Sequence, residues 1–536
     1  MRHVQHVQPQ FWEFGRGPVV EVPHSRIHHA FERWAAHTPH AVAAEHQGAT
    51  ITYRELDRRA ERLAAVLARR GVRPGDHVGL FVRRSIPMLI GLLATLKAGA
   101  AYVPQDIGIA PRSQLRHVMR TARTRVVLTQ HRYADRVPAQ GRGPGAEPVR
   151  VVIDTPEGVP EDVPEEVPGD ALGETAGNTT DRPVTASGTE PDAREGGPGA
   201  ACYVLFTSGT TGAPNGVTVT HRNVRNILLT HPGDLGIRPG MRVAQLLNIA
   251  FDMAAWEILG SLSHGATLVI RGKDIAETAH GADVIIATPT VLSTIDPAHC
   301  ARVKVVAVAG ETCPRPLADL WARHCTFYNA CGPTETTIVN TMHHHRPAAG
   351  PLTIGRPTPN NTVYVLDEDR RPCAIGETGE MWAGGDCVSA GYLGNPGLTA
   401  ERYAPDPYLG GGRMMFRTRD LGRWTPDGEL EHLGRTDDQV KVRGFRVEPG
   451  AVSAVLETVP GCSRAITLQR DPHTLVSFVC PLDVDPEAAQ RAVADALPYY
   501  CVPDTVLPLA ALPETGRGKV DRAALLRLAA EGGGGR

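Results

Sequence analysis

Two periodicities alternate along residues 24–128. RELDRRAERLAAVLARRG places apolar side chains three or four residues apart, as an amphipathic helix does, and SIPMLIGLLATLKAGA predicts a second helix that stops at glycine. Between them HVGLFV is a short apolar run of strand length. Further on, RVAQLL, ATLVI, DVIIA and KVVAVAG alternate with helix-like segments up to about Asn340. Such alternation predicts an α/β fold, a mixed or parallel sheet covered by helices. Residues 362–433 carry shorter, turn-rich strands that suit a small barrel. Near Asp437 a last unit begins: strand VKVRGFRV, helix PGAVSAVLETV, strands AITLQR and LVSFVC, and helix PEAAQRAVADAL. That unit, of about a hundred residues, is large enough to fold alone. The chain therefore divides into 1–436 and 437–536. Within the first part, residues 136–199 turn to Pro, Gly, Glu, Asp and Thr, interrupted by the strand-like VRVVID. The stretch from about 155 to 199 has almost nothing to bury and is expected as a disordered acidic loop.

At 536 residues and 42% hydrophobic content the chain can bury more than one core. A formal charge of -2 provides no basic field for nucleic acid or an anionic membrane. The sequence has no apolar stretch of the roughly 18 to 20 residues that a membrane helix needs, and MRHVQHVQPQFWEF lacks the apolar core of a signal peptide. These features predict a cytoplasmic protein. Ten cysteines without a C-x-x-C pair read as buried, reduced thiols.

The densest chemistry lies in YVLFTSGTTGAPNGV, residues 203–217. After an apolar strand, Gly209 and Gly212 let backbone N–H groups approach an anion, and Thr207, Ser208, Thr210 and Thr211 add hydroxyl donors. This is not the G-x-x-x-x-G-K-[ST] loop, because no basic residue follows Gly212 in that order. On its own the segment reads equally well as a polar surface turn.

Other segments follow in order: LKAGAAYVPQD, FDMAAWEIL, NACGPTETT, GETGEMWAGGDCVSAGYLGNPGLTAERY, RTRDLGRW, GRTDDQVKVRGFRVEPGAV and PETGRGKVDR. Together with the loop they resemble the adenylate-forming superfamily, and within it the amino-acid adenylation domains of nonribosomal peptide synthesis. The resemblance covers about residues 24–528. It implies a large N-terminal domain of two α/β layers plus a small β-barrel, then a small mobile α+β C-terminal domain hinged at Asp437. It also implies the activity: a carboxylate and ATP give an acyl adenylate, and the small domain then rotates so that a thiol can attack.

The residues carried over by this resemblance form a consistent set. Thr207, Ser208, Gly209, Thr210, Thr211 and Gly212 would cradle the β- and γ-phosphates, and Thr334 the α-phosphate, beside Ala330 and Gly332. Glu335 would hold Mg2+, a hard cation suited to carboxylate and phosphate oxygens. Asp420 would accept both ribose hydroxyls with Arg435 near the same sugar, and Lys519 would be the catalytic lysine. Gly444 would line the thiolation tunnel. Asp252 would bind the substrate's α-amino group, although aspartate before an apolar helix is also a natural N-cap. Met253, Trp256, Ile286, Ala307, Ala309, Ala330, Ile338 and Val339 would form an apolar side-chain pocket, for a phenylalanine-like or a small aliphatic substrate.

Three positions depart from the family pattern. Asn215 stands where a lysine is customary, Cys331 replaces a tyrosine with loss of about 1 kcal/mol of stacking, and Arg419 replaces a glycine. Arg419 is expected to supply the charge near the nucleotide that Asn215 lacks. The histidines at 343–345 lack metal-ligand spacing and read as a linker. The sequence contains no condensation motif H-H-x-x-x-D-G and no carrier segment L-G-G-x-S, so a freestanding enzyme is expected. Its partners would be an amino acid and a separate carrier protein with a phosphopantetheine arm, with room for a small MbtH-like helper. Two other readings stay open: a CoA ligase of the same superfamily, against which Asp252 argues, and a noncatalytic nucleotide-binding protein.

Overall fold

A computed structural model describes residues 9–139, 148–155, 196–209, 213–347, 351–513 and 520–532. Most of the expected acidic loop, together with Thr210, Thr211, Gly212 and Lys519, lies outside the described residues.

Two α/β layers share one core. A six-stranded sheet runs in the order Val149–Val152, Val126–Thr129, His77–Val82, Ala101–Asp106, Ala201–Thr207, Asn215–Thr220. All its neighbours are parallel except the last pair, the hairpin that carries the Ser/Thr/Gly loop. The second sheet has nine strands: Arg356–Pro357, Thr341–His345, Thr326–Cys331, Val305–Val308, Val284–Ala287, Arg242–Gln245, Thr267–Ile270, Val42–His46, Ala49–Thr52. Its centre is parallel and both edges are antiparallel.

The helices form where the periodicity places them. Thr52 caps Tyr53–Arg69 by accepting the Glu55 N–H at 3.2 Å, and Tyr53, Leu56, Ala60, Leu63 and Leu67 make its buried stripe. Ile86–Lys97 is apolar on nearly every side and is accordingly buried, packing on strands of both sheets. Buried polar atoms are paired across this core: Tyr53 donates its hydroxyl to the Ala266 carbonyl at 2.8 Å, and Trp34 Nε1 donates to the Ser263 carbonyl at 2.9 Å.

The turn-rich segment expected as a barrel is a five-stranded antiparallel sheet in which Asn361–Leu366, Gly379–Gly385, Met414–Trp424 and Tyr403–Pro405 are neighbours in that order, and Leu430–Arg435 adds to Met414–Trp424. The three histidines belong to the strand Thr341–His345, not to a linker. His343 Nδ1 lies 2.9 Å from Glu429 and His345 Nε2 lies 2.7 Å from Asp319, so each faces a separate carboxylate. All ten cysteines are free thiols.

Beyond residue 437 the chain builds small cores of its own from Val442, Val452, Leu456, Val493 and, separately, Phe478 and Leu525. A three-stranded sheet, Arg464–Asp471, Thr474–Cys480 and Thr505–Pro508, is covered by Pro449–Leu456, Pro486–Ala496 and Arg522–Gly532. VKVRGFRV, expected as one strand, is a hairpin of Val440–Val442 and Phe445–Val447. Arg443 and Gly444 both take positive φ, +53° and +84°, the requirement of a two-residue type I′ turn. Among the described residues no helix is long and apolar enough to cross a membrane.

Gly355 joins the nine-stranded sheet to the five-stranded one, bridging Leu430. Its φ is +78°, and a Cβ there would sit 2.0 Å from the Met342 carbonyl oxygen. Gly355→Ala should therefore lower the calorimetric unfolding midpoint of the large unit by at least about 2–4 °C. An unchanged midpoint would show that this seam is slack.

Candidate active site

The hairpin docks against the large unit and closes a cavity of about 500 Å³. Its wall brings together Thr207, Ser208, Asp252, Thr334, Asp420 and Arg435 from the large unit with Lys441, Gly444 and Arg446 from the hairpin. Residues more than two hundred positions apart thus share one chamber.

Asp252 is the first residue of the helix Asp252–Ser263, whose N-cap is Phe251. Its Oδ1 accepts the Met253 N–H at 2.8 Å, so the carboxylate belongs both to the positive end of the helix and to the cavity. Burial pushes its carboxyl above the usual aspartate range, opposed by a hydrogen bond from Thr334 and by the charge of Lys441. The Lys441 ammonium is itself driven down by burial and by Arg446, while Asp252 and Asp420 favour its charge.

Glu335 is fully buried. Both of its oxygens accept from Arg446 Nη1, each at 3.1 Å, and Oε1 also accepts the Tyr392 hydroxyl at 2.7 Å. Burial would raise the Glu335 carboxyl, but the Arg446 guanidinium holds it below the usual range. Burial likewise opposes the charge on Arg446, and Glu335 more than offsets it. A magnesium ion does not fit at this carboxylate in the observed arrangement, because a guanidinium already occupies its face. The expected metal ligand is here the anchor of a protein cation.

Asp420 is buried and accepts from Arg435 Nη1 at 2.5 Å and from His432 Nε2 at 3.5 Å. Burial raises its carboxyl, yet His432 and Arg435 hold it below the ordinary value. Arg435 turns its other edge to Asp437, with Nε at 2.7 Å and Nη2 at 3.0 Å. One guanidinium thus joins the expected ribose carboxylate to the expected hinge. Arg419, expected to face the nucleotide, is absent from the cavity wall. It pairs with Glu401 and lies 3.6 Å from Asp437, so its charge faces these two carboxylates and not the cavity. Its φ of +63° explains why glycine suits this position.

In the Ser/Thr/Gly loop Ser208 donates to the Arg446 carbonyl at 2.9 Å, Thr207 lines the cavity, and Gly209 is buried beside them. Asn215 pairs with Thr207 across the hairpin and accepts from Asn395 Nδ2 at 3.3 Å. Cys331 also lines the cavity, with Ala330 and Gly332, and burial pushes its thiol up to about 12.

Of the expected pocket wall, Met253, Ala309, Ala330 and Ile338 line the cavity. Trp256, Ile286, Ala307 and Val339 do not. Trp256 is fully buried and donates Nε1 to the Gly233 carbonyl at 2.7 Å, which holds the indole away. Ile286 and Ala307 are register partners in the centre of the nine-stranded sheet, with Ala307 one layer beneath Ala309 on the same face. Val339 is likewise fully buried.

The AMP-binding enzyme family model matches residues 31–393. The chain is an AMP-binding enzyme. Within that family it is 35% identical over 532 residues to novobiocin biosynthesis protein H of Streptomyces niveus, covering 95% of this chain and 84% of that protein. It is 44% identical over 526 residues to adenylate-forming reductase 06235 of Coprinopsis cinerea, covering 97% of this chain and 48% of that protein. The chain thus spans about half the length of that reductase. Among solved structures, holo-PA1221, an NRPS protein containing adenylation and PCP domains bound to a vinylsulfonamide inhibitor, matches at TM-score 0.77 and 25% identity, covering 94% of this chain and 84% of that one. The likenesses of this AMP-binding enzyme thus run to adenylate-forming proteins and to an NRPS adenylation protein.

In this AMP-binding enzyme sequence reasoning missed Lys441 and Arg446. A signal was present. Lys97, Lys273, Lys304, Lys441 and Lys519 are all the lysines of the chain; Lys304 and Lys441 each sit between valines, and of these two Lys441 alone lies a few residues from Asp437. Removing Arg446 takes from the buried Glu335 the one cation that hydrogen-bonds it among the described residues, a change that costs about 3–5 kcal/mol while the units stay docked. Arg446→Ala should therefore release the hairpin and make the chain near Asp437 several-fold more sensitive to limited proteolysis. Because the folded-state value of Glu335 is lowered, the pair's contribution is full above the usual glutamate value of 4.5 and fades only as pH falls below it. Wild-type protection should accordingly be flat between about pH 6 and 8, and a steep change there would exclude Glu335–Arg446 as the clasp.

Proposed function

We propose that this enzyme activates an apolar α-amino acid with ATP as the aminoacyl adenylate and passes it to the phosphopantetheine thiol of a separate carrier protein, in natural-product biosynthesis in the cytoplasm. The observation that carries this reading is Asp252. It offers a half-buried carboxylate to the cavity among the apolar surfaces of Met253, Ala309, Ala330 and Ile338. Such a group gains from a substrate ammonium and gives nothing to a simple acid. The relatives support the reading through novobiocin biosynthesis protein H and the adenylation–PCP protein.

Adenylation is an in-line displacement at the α-phosphate, so the protein's work is positioning and charge neutralisation. Thr207, Ser208 and Thr334 would direct hydroxyls at phosphate, and Asp420 would hold the ribose with Arg435 behind it. The unit 437–536 would act as the lid. In the described arrangement it presents Lys441 and Gly444, which suits transfer to the thiol. When the hairpin leaves, Glu335 loses Arg446 and regains its free carboxylate. Lys519 would enter in that alternative pose and reach the substrate carboxylate. A small MbtH-like helper is compatible with this scheme. The fungal adenylate-forming reductases favour a second reading, in which the same activated acyl group is destined for reduction.

Exchange of labelled pyrophosphate into ATP, surveyed over amino acids and simple acids, checks the first half-reaction. Apolar amino acids should stimulate exchange by at least about tenfold over their deaminated analogues, as loss of one buried ion pair predicts. Exchange with simple acids alone would point to a CoA ligase, and none with any acid to a noncatalytic protein.

A pair of variants separates the two poses. Lys519→Ala should nearly abolish exchange yet spare thioester formation from preformed adenylate. Gly444→Ala should do the reverse, since a Cβ there meets Thr288 Cγ2 at 2.9 Å on a backbone already at positive φ. Equal loss of both half-reactions in either variant would refute the alternation.

A further inference from the structure

One part of the cavity is left unused by the scheme above. Beyond Asp252 the wall continues through an aromatic series: Phe251 packs on Phe445 with ring centres 4.9 Å apart, Phe445 stacks on Tyr500 at 4.3 Å, and Tyr499 closes the row at 5.7 Å from Phe445. Around Tyr499 lie Arg84, Arg271, Arg443 and Asp106, whose charges all act on its hydroxyl. Arg83, Arg84, Arg271 and Arg443 all line the same cavity.

The positive charge there is poorly compensated. Arg84 donates Nη2 to the Leu246 carbonyl at 2.9 Å, but its Nε and the Nε of Arg271 are buried without a hydrogen-bond partner among the described residues. Burial and mutual repulsion push Arg84 down to about 10, and burial also lowers Arg271. Three carboxyls stand nearby, and one of them, Asp504, pairs with Arg443, whose Nε also donates to the His473 carbonyl. Asp106 is committed to Arg83 at 3.7 Å, to Asn248 Nδ2 at 3.2 Å and to the Gly108 N–H at 2.9 Å. Glu257 is fully buried and accepts from the Leu246 and Leu247 N–H groups and from Gln245, while burial pushes its carboxyl up to about 8. Glu257 is thus committed to these donors, and among the described residues it makes no hydrogen bond to Arg84 or Arg271. Two guanidiniums with unfilled donors beside an aromatic-walled passage match a phosphate group at the end of a slender, uncharged chain.

We infer that Arg84 and Arg271, flanked by Arg83 and Arg443, form a phosphate subsite that takes the phosphate at the far end of a pantetheine arm whose thiol reaches the acyl group beside Asp252. The inference rests on the proposed transfer to a thiol. The phosphate can belong to the arm of a carrier protein or to free coenzyme A, and the chemistry recognised is the same.

The test measures thioester formation from preformed aminoacyl adenylate with three acceptors: pantetheine, 4′-phosphopantetheine and coenzyme A. In the wild type the phosphorylated acceptors should have a KM at least about tenfold below that of pantetheine, the worth of one charge-assisted contact. Arg271→Gln and Arg84→Gln should each collapse that ratio towards one, and Arg271→Lys should restore part of it. Equal KM values for pantetheine and phosphopantetheine in the wild type, or a ratio that survives both glutamine variants, would overturn the subsite. Phosphopantetheine and coenzyme A performing alike would support a site for the shared phosphate, and coenzyme A performing better would support the site with the nucleotide as its source. Thioester with none of the three, while pyrophosphate exchange persists, would remove the thiol-transfer reading and this inference with it.

Discussion

The geometry of the site depends on one buried ion pair. Glu335 leaves the large unit on a turn after the strand Thr326–Cys331, and Arg446 arrives from a hairpin that begins beyond Asp437. Neither charge is stable in a dry interior alone, since each would cost several kcal/mol to desolvate. Their meeting fixes where the hairpin stops, and with it the positions of Lys441 and Gly444. Ser208 strengthens the clasp by bonding the Arg446 carbonyl, so the phosphate-type loop and the small unit are held by the same residue. Such a pair makes the docking specific, because either charge left buried without its partner is costly.

A second chain of charges runs through the site. Asp252, Lys441, Asp420, Arg435 and Asp437 alternate in sign from the helix start to the hinge. In a medium of low dielectric each member sets the protonation of its neighbours. Arg419 adds a further guanidinium at Asp437. A residue that departs from the family pattern thereby pairs with Glu401 and faces Asp437, a placement its position beside Asp420 in the sequence did not suggest. Asn215 is absorbed by its hairpin and by Asn395 and supplies no charge to the loop.

The pocket shows why a matched motif gives the residue but not its orientation. Ala309 and Ala307 sit on the same face of one strand run, yet one lines the cavity and the other lies a layer below it in the sheet centre. Trp256 follows Met253 on the same helix, and a single hydrogen bond to the Gly233 carbonyl turns its ring into the core. A residue's place along an element is local, whereas the depth of the cavity is set by how far the facing layers approach.

Much was legible in the chain itself. The stripe of Tyr53–Arg69, the run His77–Val82 and the helix Ile86–Lys97 follow from periodicity, because side-chain burial on one face is a local property of the backbone repeat. Motif order gave the family, and with it Asp252, Thr334, Asp420 and Arg435, which the structure brings into one cavity. Only the tertiary structure could decide that VKVRGFRV folds back on itself, that Glu335 is held by Arg446, that Arg419 pairs with Glu401 beside Asp437, and that Arg84 and Arg271 share a wall with Tyr499. Each of these depends on contacts between residues far apart in sequence. A charge declares its type in the sequence, but its partner is fixed by which surfaces exclude water together.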